Sequence, residues 1–204
     1  IDSNGAWIVT APGGVYAVGP DTTQRISTGT LIAIGPTTAL VKECDEQLEC
    51  GYYVVDRATD ARRYAGPVQA PAAFDPVNWW SSPTETISPD GRFALLTMAT
   101  YQTFGDGAGF QSRLALVDLE SFTATDLTDE SAVVEGAGYW TADSRFVFYR
   151  QDVSVYAYDT VTGEAIEVTP PRTAEGSASV VTSFTVRASQ RDGTADGTST
   201  GTAP

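Results

Sequence analysis

A tight turn followed by a short apolar strand constrains the fold of this chain more than any other sequence feature. Residues 88–93 read Ser-Pro-Asp-Gly-Arg-Phe, and residues 141–146 read Thr-Ala-Asp-Ser-Arg-Phe. Pro89 presets a backbone dihedral that suits a turn, Asp90 can hydrogen-bond its own backbone, and Gly91 tolerates positive φ. The apolar run that follows is too short for a helix, so the motif predicts a turn and then a strand.

A second motif occurs three times: an apolar strand that ends in aspartate and leads into a turn containing Ser or Thr. The three strands end at Asp56, Asp118 and Asp159. Together the two motifs predict four units of short antiparallel strands and almost no helix. Their unequal spacing indicates loop insertions between repeated units, as in β-propeller blades of about 40–45 residues. The predicted units cover residues 6–27, 30–64, 85–127 and 138–168.

In this order, the two motifs resemble those of the TolB-type, WD40-like β-propeller family. The matching segments are Ser-Pro-Asp-Gly-Arg-Phe-Ala-Leu at 88–95 and the strand, turn and strand of residues 155–169. The resemblance covers roughly residues 31–169, and it implies a bacterial propeller that binds proteins or peptides rather than one with an activity. The second unit departs from the family pattern, because Gly35-Pro36-Thr37 stands in place of Ser-Pro-Asp-Gly.

The expected fold is therefore all-β, a β-propeller-like array of about four antiparallel sheet units. Four units are few for this family and the first unit lacks a clear first strand, so a partial propeller remains an alternative. We assign residues 1–188 to this domain, within which a further strand expected at 180–186 is a candidate to complete the first sheet. Residues 189–204 contain no apolar residue larger than Ala, which predicts a flexible, disordered tail or linker.

Two cysteines, Cys44 and Cys50, flank an acidic loop between two predicted strands. Cysteines on opposite sides of a hairpin loop can lie at disulfide distance, so the sequence predicts a bond between them. A zinc site would be short of ligands, since the chain has no third cysteine and no histidine. A disulfide implies an oxidising compartment, and we expect an extracellular protein that is secreted or held at a cell surface. The chain opens on Ile1 rather than Met, which predicts a processed or trimmed piece with room for an upstream signal or anchor.

The acidity of the chain argues against several partners. Asp and Glu total 26 against 12 Lys and Arg, which gives a formal net charge of −14. Such a chain repels nucleic acid and anionic membrane surfaces, and solubility is the simplest role for the charge. No apolar run approaches the roughly 18 residues of a membrane span, so we expect no membrane insertion within this sequence.

The absence of histidine removes the usual partner of a Ser or Cys nucleophile. The spacing of Asp90 and Gly91 differs from that of a sialidase Asp box, and no carboxylate pair stands out for glycoside hydrolysis. Asp106, in a Gly-rich loop, is alone far short of a calcium ligand set. The sequence therefore predicts no catalytic residue, no metal site and no cofactor.

Two function classes remain open. The first is a non-enzymatic extracellular β-propeller-like module that presents loops to a protein or peptide partner. The second is the propeller part of a larger secreted or membrane-anchored hydrolase whose catalytic domain lies outside this chain. The parent reading frame beyond Pro204 discriminates the two, because a hydrolase domain there would rule out the first.

Two loop-like segments, residues 67–83 and 101–112, form the candidate partner-binding surface. They carry more aromatic residues than loops need, and exposed Trp and Tyr commonly anchor interfaces. The alternative is that the two tryptophans pack as core beneath the first segment. The six candidate residues are Phe74, Trp79, Trp80, Tyr101, Phe104 and Phe110.

Overall fold

Four antiparallel sheets make up the part of the chain that the computed structural model describes. That part comprises residues 6–47, 49–66, 87–104, 107–128, 138–151 and 154–168. All fourteen regular elements in these ranges are β-strands. Within the same ranges, no helix is both long enough and apolar enough to span a membrane.

Each sheet is a meander in which consecutive strands pair antiparallel. The strands of sheet 1 are, in order, β1 (Trp7–Ala11), β2 (Gly14–Val18) and β3 (Thr23–Ser27). Those of sheet 2 are β4 (Thr30–Ile34), β5 (Thr38–Cys44), β6 (Cys50–Asp56) and β7 (Arg62–Gly66). Those of sheet 3 are β8 (Phe93–Phe104), β9 (Gly107–Asp118) and β10 (Thr123–Asp126). Those of sheet 4 are β11 (Tyr139–Trp140), β12 (Phe146–Gln151), β13 (Ser154–Asp159) and β14 (Glu164–Glu167).

The all-β class and the four units are those that the sequence motifs predicted. In the third unit, a first strand was expected at 85–88; Ile87 supplies an isolated bridge to Ala94 there, and residues 85 and 86 lie outside the described ranges. The strand expected at 180–186 and the tail expected at 189–204 also lie outside the described residues.

Sheets 2 and 4 have four strands, and sheet 3 also has four if the bridge of Ile87 to Ala94 is counted as its first strand. Each of these units has two different ends. The turns after the first and third strands lie at one end, called here the turn end, and the connection after the second strand lies at the hairpin end. At the turn end, the Asp90 N–H donates to Ser144 Oγ at 2.9 Å, which joins the first turns of sheets 3 and 4. The Ile87 N–H likewise donates to the Ile34 carbonyl at 2.9 Å. Sheets 2, 3 and 4 therefore run in the same sense, with their hairpin ends on one side.

The core lies between the sheets, and successive residues of one strand serve opposite interfaces. On β8, Ala94 and Leu96 pack in a cluster shared with Leu40 of sheet 2. Leu95, between them, packs in a cluster shared with Val147 of sheet 4. This two-residue alternation follows from the strand geometry. Sheet 3 is thus buried on both faces, which explains its nearly continuous apolar run.

Sheets 1 and 2 share a smaller interface. Val41 and Val55 of sheet 2 are fully buried there, and Ile26 of sheet 1 packs against them. At its margin the Ser27 hydroxyl donates to Glu43 Oε1 at 2.6 Å. The four sheets therefore stack in sequence order, each packing on its neighbours in the chain, as repeated structural units do.

The disulfide predicted between Cys44 and Cys50 is confirmed. The two cysteines are direct register partners on β5 and β6, with their Cα atoms 3.9 Å apart. Their bond closes the connection at the hairpin end of sheet 2, and no free cysteine remains.

Candidate functional site

The turn end is built from a repeated hydrogen-bond motif whose first copy surrounds Ser88. The Ser88 hydroxyl donates to Asp90 Oδ1 at 2.6 Å and accepts the Phe93 N–H at 2.9 Å. The same carboxylate oxygen accepts the Arg92 N–H at 3.0 Å. Gly91 sits at the bend with a φ of 78°, a conformation that glycine adopts without strain. The side chains of Ser88 and Asp90 thus hold the turn closed.

Sheet 4 repeats the same bonds with different residues. The Thr141 hydroxyl donates to Asp143 Oδ1 at 2.5 Å and accepts the Phe146 N–H at 3.0 Å. Asp143 Oδ1 also accepts the Arg145 N–H at 3.1 Å. Ser144 takes the glycine position with a φ of 62°. Residues at equivalent positions of the two sequence motifs therefore make the same hydrogen bonds.

An arginine from each first turn reaches the aspartate at the end of the third strand. In sheet 3, Arg92 Nε and Nη2 donate to Asp118 Oδ2 at 3.2 and 3.0 Å. In sheet 4, Arg145 Nε and Nη2 donate to Asp159 Oδ2 at 3.1 and 2.8 Å. We call these two ion pairs the Arg–Asp braces, and each ties the two turns of its sheet together.

The second oxygen of each braced aspartate is also occupied. Asp118 Oδ1 accepts the N–H groups of Glu120 and Ser121 at 2.8 and 3.2 Å. Asp159 Oδ1 accepts those of Val161 and Thr162 at 2.9 and 3.4 Å in the equivalent turn. Each carboxylate therefore bonds an arginine side chain through one oxygen and backbone N–H groups through the other.

Sheet 2 departs from this scheme as its sequence does. Asp56 still caps its turn, because Oδ1 accepts the N–H groups of Ala58 and Thr59 at 3.0 and 2.9 Å. With Pro36-Thr37 in the first turn, no arginine is available there, and Arg57 acts instead. Its Nη1 donates to the carbonyl oxygens of Gly35 and Pro36 at 2.8 and 3.1 Å.

Hydrogen bonds lower the pKa of four turn-end aspartates below the ordinary value, namely Asp56, Asp118, Asp143 and Asp159. For Asp159, the Arg145 guanidinium is the main cause of the lowered pKa, and for Asp143 it is the Thr141 hydroxyl. Partial burial alone would raise the pKa of Asp118, but its backbone hydrogen bonds and Arg92 outweigh that effect. Such carboxylates stay ionised and bonded, which suits structural support and not proton transfer.

The hairpin end has a different character. Strands β8 and β9 are 12 residues each and pair continuously from Phe93↔Asp118 to Phe104↔Gly107. Strand β10 pairs only with the stretch of β9 from Ala115 to Asp118. Within the described residues, the outer half of this hairpin is therefore a two-stranded ribbon, which we call the β8–β9 ribbon, residues 99–112.

The register of this ribbon corrects one sequence-based expectation. The loop expected over residues 103–110, and the loop-like segment 101–112, are strand except for residues 105 and 106, which lie outside the described ranges. Tyr101 is the direct cross-strand partner of Phe110, and Phe104 pairs with Gly107 beside the tip. The remaining candidates, Phe74, Trp79 and Trp80, lie outside the described residues.

The disulfide hairpin of sheet 2 lies at the same end. Its acidic loop is held by Asp45, whose Oδ1 accepts the N–H groups of Gln47 and Glu49 at 3.0 and 2.8 Å. Asp45, Glu46 and Glu49 are all exposed. Strand β7 also finishes here at Gly66, so the first candidate segment, which starts at residue 67, leaves sheet 2 from the end that carries the ribbon.

The Arg–Asp braces were not predicted from the sequence. The signal was present, because Arg92 and Arg145 each stand two residues after the turn aspartate. Among the described residues, no group of three or more Cys, Asp or Glu side chains could hold a metal ion. Asp106, considered above for calcium, lies outside those residues.

Neither a protein-family model nor a curated protein matches the sequence. TolB from Acinetobacter baumannii is similar over 80% of this chain and 40% of its own, with 14% identity and a TM-score of 0.44. The β-propeller domain of the Trilobed protease from Pyrococcus furiosus is similar over 71% of this chain and 43% of its own, with 18% identity and a TM-score of 0.41. Pyrococcus horikoshii acylaminoacyl peptidase is similar over 80% and 30%, with 15% identity and a TM-score of 0.47. This chain spans less than half the length of each of the three.

The stack of four meander sheets, of which sheets 3 and 4 are closed by equivalent turns, defines the class of the protein as β-propeller-like. The two sequence motifs lie in sheets 3 and 4 of this stack, at residues 88–95 and 155–169. Its two ends differ in chemistry, since the polar side chains of the turn end bond one another whereas the hairpin end carries the long ribbon and the exposed acidic loop.

Proposed function

We propose that this chain is a non-enzymatic, extracellular binding module that engages a protein or peptide partner through its hairpin end. The observation that carries the proposal is the β8–β9 ribbon. Its strands are 12 residues long, whereas the strands of the other sheets have two to seven. The strand pair extends well past the four residues of β9 that pair with β10, so its length calls for another role.

The distribution of polar bonds supports the choice of end. At the turn end, Asp118 and Asp159 each bond an arginine and two backbone N–H groups. A partner binding there would compete with bonds that hold the turns. At the hairpin end, Tyr101 and Phe110 stand opposite each other on the ribbon, and paired aromatic residues are common interface anchors.

The disulfide supports the proposed compartment. A bond between Cys44 and Cys50 persists in an oxidising environment and is rare in the cytosol. The exposed acidic residues of the same loop, Asp45, Glu46 and Glu49, favour a partner surface that carries basic groups. We therefore propose a partner segment that is apolar or aromatic at its centre and basic at its margin.

The absence of an enzymatic role is part of the proposal. The chain has no histidine, and the carboxylates that the turn motifs repeat are bonded as structural caps. Neither feature supplies a nucleophile with a base beside it, which acyl-transfer catalysis requires.

A display experiment tests the proposal. Random peptides shown on phage are selected on the oxidised chain and counter-selected on a chain whose ribbon is shortened by replacing residues 100–111 with a two-residue Asn-Gly turn. We expect peptides with aromatic and basic residues that bind the full chain and lose at least about tenfold in affinity for the shortened one. Selected peptides that bind both chains equally would contradict the proposed surface.

A further inference from the structure

The disulfide of sheet 2 is an accessible covalent bond at the hairpin end. Cys44 and Cys50 lie on the two central strands of the sheet, yet both residues are exposed. A disulfide reacts when a thiolate attacks one of its two sulfur atoms, so the rate depends on access to that atom. The position of this bond therefore leaves it open to exchange with small thiols in solution.

Three carboxylates stand next to this bond in the chain. Asp45 directly follows the first cysteine, Glu49 directly precedes the second, and Glu46 is two residues from the first. Because consecutive Cα atoms are about 3.8 Å apart, the Cα atom of each acidic residue lies within about 8 Å of a cysteine Cα atom. All three residues are exposed. An attacking thiolate therefore approaches the sulfur atoms through a region of negative charge.

Neighbouring cations offset little of this charge. Arg62 contacts Glu43 Oε1 at 2.6 Å, so these two groups neutralise each other. Lys42, which is half-buried two residues before the first cysteine, offsets one of the three carboxylates. The two segments that adjoin the same end, residues 67–83 and 101–112, contain no lysine and no arginine. The surroundings of the disulfide thus stay net negative.

The charges that matter are those close to the bond. Screening limits the interaction of exposed charges to about 10 Å at 0.1 M ionic strength. Strand β5 has seven residues, so the turn end of sheet 2 lies about 20 Å from the disulfide. Carboxylates at the turn end are therefore screened from a thiolate that attacks the bond, whereas the three loop carboxylates are not.

Non-covalent bonds hold this hairpin together with the disulfide. The Asp45 N–H donates to the Glu49 carbonyl at 3.0 Å, and Asp45 Oδ1 accepts the N–H groups of Gln47 and Glu49. Strands β5 and β6 pair continuously over seven residues up to the cysteines. These bonds do not involve the sulfur atoms. We therefore expect the two thiols to stay opposite each other when the disulfide is reduced, so that the bond re-forms on oxidation.

We propose that the Cys44–Cys50 disulfide is a thiol-exchange site that selects small thiols by charge, reacting readily with cationic and neutral thiols and poorly with anionic ones. The same selection keeps the bond oxidised in the presence of anionic thiols such as glutathione. The proposal does not depend on the binding role assigned to the ribbon.

The exchange takes place in two steps. The attacking thiolate bonds to one cysteine sulfur while the Sγ–Sγ bond breaks, and the electron pair of the broken bond leaves on the other sulfur, which takes a proton from water. A second thiolate then attacks the small-thiol sulfur of this mixed disulfide and releases the remaining cysteine. Overall, two small thiols are oxidised to one small disulfide and the protein disulfide is reduced to two thiols.

Exchange rates with three thiols of equal length test the proposal. Cysteamine, 2-mercaptoethanol and 2-mercaptoethanesulfonate share a two-carbon chain and end in ammonium, hydroxyl and sulfonate. Each is added in excess to the folded, oxidised full chain at one fixed pH and low ionic strength, and free protein thiols are alkylated and counted by mass spectrometry. The rate for each thiol is compared between wild type and Glu46→Gln combined with Glu49→Gln, so that the intrinsic reactivity of the thiol cancels.

We expect the loop variant to react at least about threefold faster than wild type with the sulfonate thiol and less than about 1.5-fold differently with cysteamine. The variant keeps the hydrogen bonds of the loop, because these use the Asp45 carboxylate and backbone groups. Glu120→Gln combined with Glu164→Gln is the matched control, since it removes two exposed carboxylates at the turn end. This control should react with all three thiols as wild type does.

Salt provides a second measurement that needs no variant. At about 1 M ionic strength, where screening acts within about 3 Å, the sulfonate thiol should react faster with wild type and the cysteamine rate should change little. A sulfonate rate that does not respond to salt would overturn the proposal. So would equal rate gains for all three thiols in the loop variant, an equal effect in the turn-end control, or a folded wild type whose disulfide reacts with none of the thiols.

Discussion

Arg145 donates two hydrogen bonds to a single carboxylate oxygen of Asp159, at 3.1 and 2.8 Å, and thereby joins two turns that are 14 positions apart in the chain. Arg92 and Asp118 repeat this arrangement in the preceding sheet. Sheets 3 and 4 therefore share the same Arg–Asp ion pair between their turns at the turn end. The length of the strands at the opposite end does not affect this pair, and it differs between the two sheets.

Removing a braced aspartate should destabilise the fold. In Asp118→Ala, the N–H groups of Glu120 and Ser121 lose their acceptor and Arg92 loses its partner. We expect a loss of about 1–3 kcal/mol in the free energy of unfolding, measured by urea titration. Glu120→Ala is the control, because Glu120 is exposed in the same turn. Equal stability of the two variants would contradict the role of the brace.

Acid should weaken the protein through the same carboxylates. Hydrogen bonds and arginines lower the pKa of Asp143 and Asp159 in the folded state below the ordinary value of 3.8. A carboxyl whose pKa is lower in the folded state than in the unfolded state stabilises the fold at any pH above its pKa in the unfolded state. This stabilisation is lost as the pH falls toward its pKa in the folded state. The urea concentration at which half of the protein is unfolded should therefore decrease as the pH is lowered from about 5 to about 2. A midpoint that stays constant over this interval would show that these bonds add no stability.

Breaking the disulfide should have a modest effect on stability. The loop between Cys44 and Cys50 is short, so the chain-entropy estimate gives only about 2 kcal/mol. Cys44→Ser combined with Cys50→Ser should lower the melting temperature while keeping the β-sheet circular dichroism spectrum. Thiol titration of unreduced, denatured wild type should find no free thiol, and two free thiols would rule the bond out.

The packing between sheets 2 and 3 should depend on Leu40. Its side chain is fully buried in the cluster that also contains Ala94 and Leu96. Leu40→Ala should cost about 2–5 kcal/mol in the free energy of unfolding, because it leaves a cavity between two sheets. Calorimetry gives the measurement, and Val161→Ala, at an exposed turn position, is the control. A cost of less than about 1 kcal/mol would mean that the sheets do not pack as described.

The sequence predicted what local chemistry determines. Turn residues such as Pro89 and Gly91 mark where strands begin, and the flanking apolar runs are short, so the strands and the four units follow from them. The position of Cys44 opposite Cys50 also follows, because a hairpin brings the two residues together. These features depend on neighbours within a few positions.

What the sequence did not predict depends on pairing between distant residues. Gly105, Gly107 and Gly109 indicate a flexible loop by composition, yet most of that segment pairs in a ladder that extends to Phe104↔Gly107. Register is a property of two strands together and is weakly specified where glycine is frequent. The Arg–Asp braces were missed for a similar reason, since each joins side chains from different turns.

Titration of one peptide against two double variants tests the central claim most directly. The peptide is one selected on the oxidised wild-type chain, and its dissociation constant is measured by calorimetry. Phe104→Ser with Phe110→Ser alters the ribbon, and Val161→Ser with Thr162→Ala alters a turn at the opposite end. The account predicts that the ribbon variant stays folded and binds at least about tenfold more weakly, while the turn variant binds as wild type does. Wild-type affinity in a folded ribbon variant, or lost affinity in the turn variant alone, would contradict it.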